Sequence, residues 1–142
     1  MREKRVAVLG LARSGTALAF ALASRGIDVS AGDRKPETEI AAADALRAAG
    51  VKIHAGGPDA AFLEGAEILA ISPGVPRDHP AAAEARRRGI PVVSELELAW
   101  RILEEESEGK NTYVAVTGTN GKSTVSTWTA EMLRRDGKET AA

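Results

Sequence analysis

The sequence predicts an α/β chain: a Rossmann-like, doubly wound parallel sheet, followed by a strand–loop–helix that opens a second unit. Three observations predict it. Apolar runs of strand length alternate with segments of helical spacing from residue 6 to residue 106, the pattern of parallel strands joined by right-handed helical crossovers. Three helical segments close on a glycine, Gly26, Gly50 and Gly89, with a strand-type run starting at the next residue. Two glycine-bearing loops, at residues 10–15 and 118–121, each lie between a strand-type run and a helical one.

The elements follow in order. Residues 6–9 are apolar without alternation, as in a strand covered on both faces. Residues 14–25 carry Leu18, Phe20, Ala21 and Leu22 at helical spacing. Gly26 can take the left-handed conformation that ends a helix, and residues 27–31 begin the second strand. Residues 41–49 form a helix before a strand at 51–54. Residues 67–71 are a further buried strand. Residues 81–88 form a helix before a strand at 90–93. Ser94 is placed to cap a helix over 95–106, with Glu97 where a capping box has its acid. Leu96, Ala99, Trp100 and Leu103 would form the apolar face of that helix.

The polar, acidic stretch 104–111 then reads as a helix end and linker. Residues 113–116 predict a new strand, and residues 121–135 a helix with Val125, Trp128 and Met132 on one face. A single β-α unit cannot bury its own strand, so this second domain is expected to continue past Ala142. The expected organisation is a first domain over 1–94, a helix and linker over 95–111, and the start of a second domain over 112–142.

Composition narrows the function classes. The chain has 142 residues, with 44% hydrophobic but only 4% aromatic residues, so its core must be built from Ala, Val, Leu and Ile. The net charge is −1 with 27% charged residues. No basic excess points to nucleic acid or an anionic membrane. There is no cysteine, hence no disulfide framework and no thiolate metal site. The apolar stretch after the charged residues 1–5 is broken by Gly10, Arg13, Ser14 and Gly15, so it reads as a strand and turn, not a signal peptide. No apolar run approaches the roughly 20 residues that span a bilayer.

The most informative segment is Thr117, Gly118, Thr119, Asn120, Gly121, Lys122, Ser123 and Thr124. It stands between a predicted strand and a predicted helix, where a phosphate-binding loop belongs. Glycines let backbone N–H groups turn inward around phosphate oxygens. The helix N-terminus adds unpaired N–H groups and a positive dipole end. Lys122 would supply a point charge for β- and γ-phosphates, and Ser123 a hydroxyl for Mg²⁺. The general pattern has a glycine where Val116 stands here; the first loop glycine is Gly118. The bland alternative is a tight turn whose Gly, Asn and Lys serve only the turn.

Two more loops carry chemistry. Gly10, Leu11, Ala12, Arg13, Ser14 and Gly15 approximate the dinucleotide fingerprint G-x-G-x-x-G, with Ala12 at the middle glycine. Asp33 lies at the end of the second predicted strand, where a dinucleotide enzyme holds a ribose 2′-OH; the bland alternative is a turn or cap residue before Pro36. Ser72, Pro73, Gly74, Val75 and Pro76 follow another strand, at the strand end where doubly wound folds bind ligands.

The run Thr117–Gly118–Thr119–Asn120–Gly121–Lys122–Ser123–Thr124 resembles the ATP loop of the Mur ligase and folylpolyglutamate synthetase superfamily. With the loops at 10–15, 33–34 and 72–76 and the segment 89–97, the whole chain resembles the D-glutamate-adding branch of the Mur ligases. The resemblance implies an ATP-dependent carboxylate–amine ligase of peptidoglycan synthesis, cytoplasmic and monomeric, serving cell-wall biogenesis, cell shape and division. It uses ATP and Mg²⁺ to join D-glutamate to UDP-N-acetylmuramoyl-L-alanine through an acyl phosphate. It implies that Gly118, Thr119, Asn120, Gly121, Lys122, Ser123 and Thr124 hold ATP, with Lys122 catalytic and Ser123 on Mg²⁺. It also implies that the first domain binds the UDP part of the precursor rather than NAD. There Gly10, Arg13, Ser14 and Gly15 meet the pyrophosphate, Asp33 and Arg34 lie by the uracil, and Ser72, Pro73 and Gly74 line the same pocket. A chain of this length is expected to bind the UDP-linked precursor at most, and not to complete the reaction.

Two rivals stand beside this reading. One is a nicotinamide-dinucleotide-binding Rossmann regulatory module, which Ala12 and the second loop disfavour. The other is a P-loop kinase, which Val116 and the preceding α/β domain disfavour. His54 and His79 lack carboxylates at ligand spacing, and His79–Pro80 reads as a helix start. Arg86, Arg87 and Arg88 read as a solvated helix end, Glu104, Glu105 and Glu106 as a solvated face, and Trp100 and Trp128 as packing residues.

Overall fold

A computed structural model describes residues 5–58, 60–76 and 78–141. Five parallel strands, β1 (Arg5–Leu9), β2 (Asp28–Gly32), β3 (Lys52–His54), β4 (Ile68–Ile71) and β5 (Val92–Ser94), form one sheet in the order β3-β2-β1-β4-β5. The direction of winding reverses between β1 and β4, as in the Rossmann arrangement. Helices α1 (Arg13–Ala23), α2 (Ala43–Ala48), α3 (Pro80–Arg87) and α4 (Glu95–Glu106) cover it, with 3-10 turns at Glu37–Glu39 and Ala60–Leu63.

The unbroken apolar run of β1 follows from burial on both sides. Val6 and Val8 point into a core shared with Leu18 and Leu22 of α1, Leu46 of α2, and Leu98 and Ile102 of α4. Ala7 and Leu9 point the other way, onto Phe62, Leu63 and the alanines 81, 82 and 85 of α3. The helices therefore flank the sheet on both faces. The core is aliphatic as expected, with Phe62 the aromatic exception at 0% exposure.

The predicted helix stops hold. Gly26, Gly50 and Gly89 all have positive φ, and the next amide in each case returns to a carbonyl five residues back: Ile27 to Leu22, Val51 to Leu46, Ile90 to Ala85. This is the Schellman closure. His79 begins α3, its Nδ1 accepting from Ala81 N at 3.2 Å. Ser94 Oγ accepts from Glu97 N at 3.1 Å, so the predicted cap is formed; the Glu97 carboxylate itself pairs with Arg101 at 3.0 Å.

Two expectations are corrected. Helix α4 buries Glu95, Leu98 and Ile102; of the expected stripe Ala99 is half-buried, while Leu96, Trp100 and Leu103 are 77%, 45% and 44% exposed. Both stripes have helical spacing, and only the position of the helix on the sheet selects between them. Trp100 is therefore not a core residue.

The chain divides into two compact units, Met1–Gly109 and Lys110–Ala142. Among its described residues the second contains one regular element, α5 (Lys122–Arg135). Residues 113–116 are not a strand there. A strand exists by pairing, and no described strand is hydrogen-bonded to this segment. Tyr113 and Val114 are instead 45% and 62% exposed, and Val125, Trp128 and Met132 of α5 also face outward.

Candidate nucleotide site at the strand switch point

The reversal between β1 and β4 brings the loops after these two strands together at the carboxyl end of the sheet. Gly10 leaves β1 with φ +95°, and its amide donates to Gly32 O at 2.7 Å. A Cβ on Gly10 would stand 2.9 Å from Val75 Cγ2 and 3.0 Å from Ser72 Cβ. A Cβ on Gly15 would stand 1.9 Å from Gly10 O and 2.7 Å from Ser72 Oγ. The two glycines thus let the first loop fold onto the second at backbone distance. Ala12 tolerates its place because its backbone is extended, at φ −71° and ψ −171°; no glycine is needed there.

Helix α1 starts without a side-chain cap. Its first-turn amides therefore point to the open end of the sheet with no acceptor from a capping side chain, which is the arrangement that receives an anion. Ala12, Arg13 and Ser14 are exposed at this end, and Gly15 is buried beneath them. A cleft of about 400 Å³ adjoins the loop, lined by Leu11, Ala12, Arg13, Thr16, Asp33 and Lys35, among others.

Asp33 sits at the end of β2, as predicted, but its carboxylate is engaged by the protein itself. Oδ2 accepts from Leu11 N at 2.7 Å and Oδ1 from Lys35 N at 2.9 Å. It ties the β1–α1 loop to the β2 loop and forms part of the cleft wall. Arg34 is exposed beside it. Ser72 is buried at 4% exposure, while Pro73 and Gly74 after it are exposed.

The structure therefore brings Gly10, Arg13, Ser14, Gly15, Asp33 and Ser72 to one end of the first unit. It also adds a residue that sequence reasoning missed. Glu95 is 8% exposed, and its Oε2 lies 2.6 Å from Ser72 Oγ. In the sequence Glu95 is one acid of an acidic helix start; only the packing of α4 reveals that it turns inward.

The second loop lies in the second unit. Gly118 and Gly121 have φ +152° and +76°. Gly121 precedes α5 with no side-chain cap, and Lys122 Nζ donates to Gly118 O at 2.8 Å across the loop. Two left-handed glycines ahead of an uncapped helix are a backbone form compatible with holding phosphate oxygens.

Residues 4–94 match the family model described as Mur ligase MurD-like, N-terminal domain. The chain is 44% identical over 135 residues to the UDP-N-acetylmuramoylalanine--D-glutamate ligase of Anaeromyxobacter dehalogenans (strain 2CP-C), covering 95% of this chain and 28% of that protein. It is 41% identical over 136 residues to the same-named ligase of Shouchella clausii (strain KSM-K16), covering 96% and 29%. Among solved structures, it is similar to the UDP-N-acetylmuramate-alanine ligase MurC of Thermotoga maritima, with 27% identity and a TM-score of 0.64 over 96% of this chain and 30% of that one. The chain thus spans less than a third of the length of these relatives. With most of the first unit matched end to end, the chain belongs to the Mur ligase MurD-like N-terminal domain family.

Proposed function

We propose that this chain is the UDP-precursor-binding portion, with the opening of the ATP-binding portion, of a ligase that joins D-glutamate to UDP-N-acetylmuramoyl-L-alanine. The observation that carries the reading is the uncapped N-terminus of α1 at the switch point, beneath a loop folded tightly by Gly10 and Gly15. That is a backbone site for a diphosphate. Arg13 and Ser14 flank it, Asp33 and Arg34 border the nucleoside side, and Ser72, Pro73 and Gly74 form the facing loop. The names of the relatives support the choice of substrates.

In the second unit, Gly118, Thr119, Asn120, Gly121, Lys122, Ser123 and Thr124 would hold ATP, with Ser123 toward Mg²⁺. The glycine conformations and the uncapped start of α5 fit that role. Mg²⁺ would supply charge neutralisation on the phosphates. Lys122, which turns its ammonium into the loop, would add a second positive charge there as the catalytic residue. In the complete reaction the precursor carboxylate attacks the γ-phosphorus and ADP leaves. The D-glutamate amine then displaces phosphate and forms the amide. The proposed setting is cytoplasmic, in peptidoglycan synthesis, with a monomeric enzyme and no nucleic acid or membrane partner. Among the described residues no helix is long and apolar enough to cross a membrane.

Calorimetric titration of the 142-residue chain with UDP and with NAD⁺ tests the reading. UDP is expected to bind and NAD⁺ not to compete. Binding of NAD⁺ in preference to UDP would replace this reading with a dinucleotide-binding module, the alternative that the strand order alone would allow.

A further inference from the structure

We propose that Glu95 is a positioning residue for the diphosphate loop, acting through Ser72. The inference rests on the reading of the switch point as a UDP site and adds a residue from a different element to it. Glu95 opens α4 and faces inward with Leu98 and Ile102. A carboxylate is seldom buried unless something holds it. Here the holder is the Ser72 hydroxyl at 2.6 Å, a length typical of a charge-assisted O–H···O⁻ bond. The amides of its own helix start add a favourable dipole.

Ser72 Oγ also lies 3.0 Å from Gly10 O. The hydroxyl has one proton, so the carboxylate decides which way it points. That orientation matters because the phosphate loop rests directly on this side chain. The Gly15 Cβ position is 2.7 Å from Ser72 Oγ, and the Gly10 Cβ position is 3.0 Å from Ser72 Cβ. The loop approaches Ser72 so closely that neither glycine could carry a side chain there, and Ser72 Oγ touches the Gly10 carbonyl itself. Glu95 thus sets the Ser72 rotamer, and Ser72 sets the height of the loop whose amides meet the diphosphate. Ser14, at the rim of the same loop, lines a groove together with Glu95, so the start of α4 borders the loop as well as Ser72. Preorganisation of this kind raises affinity by removing the cost of ordering the loop on binding.

The test uses the 142-residue chain, with UDP as the probe. Glu95→Ala and Ser72→Ala are each expected to weaken UDP binding about tenfold, and the double variant no further than the weaker single one, because both remove one linkage. Glu95→Gln keeps an acceptor for the Ser72 hydroxyl and is expected to restore most of the affinity. Amide hydrogen exchange of the free chain supplies a readout independent of ligand. Residues 10–15 and 72–74 should exchange faster in Glu95→Ala than in the parent or in Glu95→Gln, with β2 and β3 unchanged. If Glu95→Ala is too unstable to isolate, Glu95→Gln against Ser72→Ala carries the comparison. Parent-like UDP affinity in Glu95→Ala, additive losses in the double variant, or exchange at the two loops that ignores residue 95 would each overturn the proposal. Failure of the parent chain to bind UDP would instead overturn the underlying site reading.

Discussion

At the scale of single residues, the site is built by what is missing from two side chains. Gly15 lies inside α1, where alanine would normally be the better helix former. Here its Cβ would meet the Gly10 carbonyl at 1.9 Å, a backbone atom that cannot swing aside. Gly15→Ala is therefore expected to destabilise the chain by at least about 2 kcal/mol in urea unfolding, as overpacking against backbone does. Gly26 is the contrast: its φ is +74° and nothing lies within 4 Å of its Cβ position. Gly26→Ala should cost only the left-handed conformation, about 1 kcal/mol. A smaller loss in Gly15→Ala than in Gly26→Ala would show that the two loops are not packed as described. Asp33 marks the limit of residue-level reading: its position at the end of β2 was legible, but its two backbone partners, Leu11 N and Lys35 N, were not. They come from segments that meet only once the sheet has formed.

At the scale of elements, α4 shows how helical spacing can leave the buried face undecided. Leu98 is fully buried and Leu96 is 77% exposed, although both are leucines two residues apart. Leu98→Ala is expected to cost about 2–5 kcal/mol, and Leu96→Ala to stay within about 0.5 kcal/mol of the parent. Equilibrium denaturation of the two variants checks the assignment of faces. Helix α3 offers a pH test. Glu84 is gripped by the Arg87 and Arg88 guanidiniums at 2.7 and 2.6 Å. Hydrogen bonds from Arg87, then Arg88, lower its carboxyl from the ordinary 4.5 to about 2. The folded value is below the unfolded one, so the stabilising contribution is complete above the ordinary carboxylate range. It is lost as pH falls from there toward 2. Carbon-detected NMR should place the Glu84 midpoint near 2, and Arg87→Ala with Arg88→Ala should return it to the usual carboxylate range.

At the scale of the whole molecule, the division at Gly109 and Lys110 means that the first unit carries its own core. Its sheet is covered on both faces and α4 contributes Leu98 and Ile102 to it. A chain ending at Gly109 is expected to unfold in a single cooperative transition at the parent midpoint and to bind UDP as the parent does. A non-cooperative melt would show that residues 110–142 are needed for that core. The alternation of elements, the three glycine helix stops and the Ser94 cap were legible because each rests on contacts within a few residues. The strand at 113–116 was not realised, because pairing needs a neighbouring strand and local composition cannot supply one.

By itself, the sequence determined the α/β class, the succession of elements in the first unit, the loops that carry glycine between strand and helix, and the family to which those loops belong. These depend on local periodicity, backbone freedom at glycine and short-range capping. Tertiary structure alone decided which stripe of α4 is buried, that Asp33 braces the first loop, and that Glu95 reaches Ser72 across 23 residues of chain. Such contacts arise from which strands and helices become neighbours in the assembled sheet, a property that no short segment encodes.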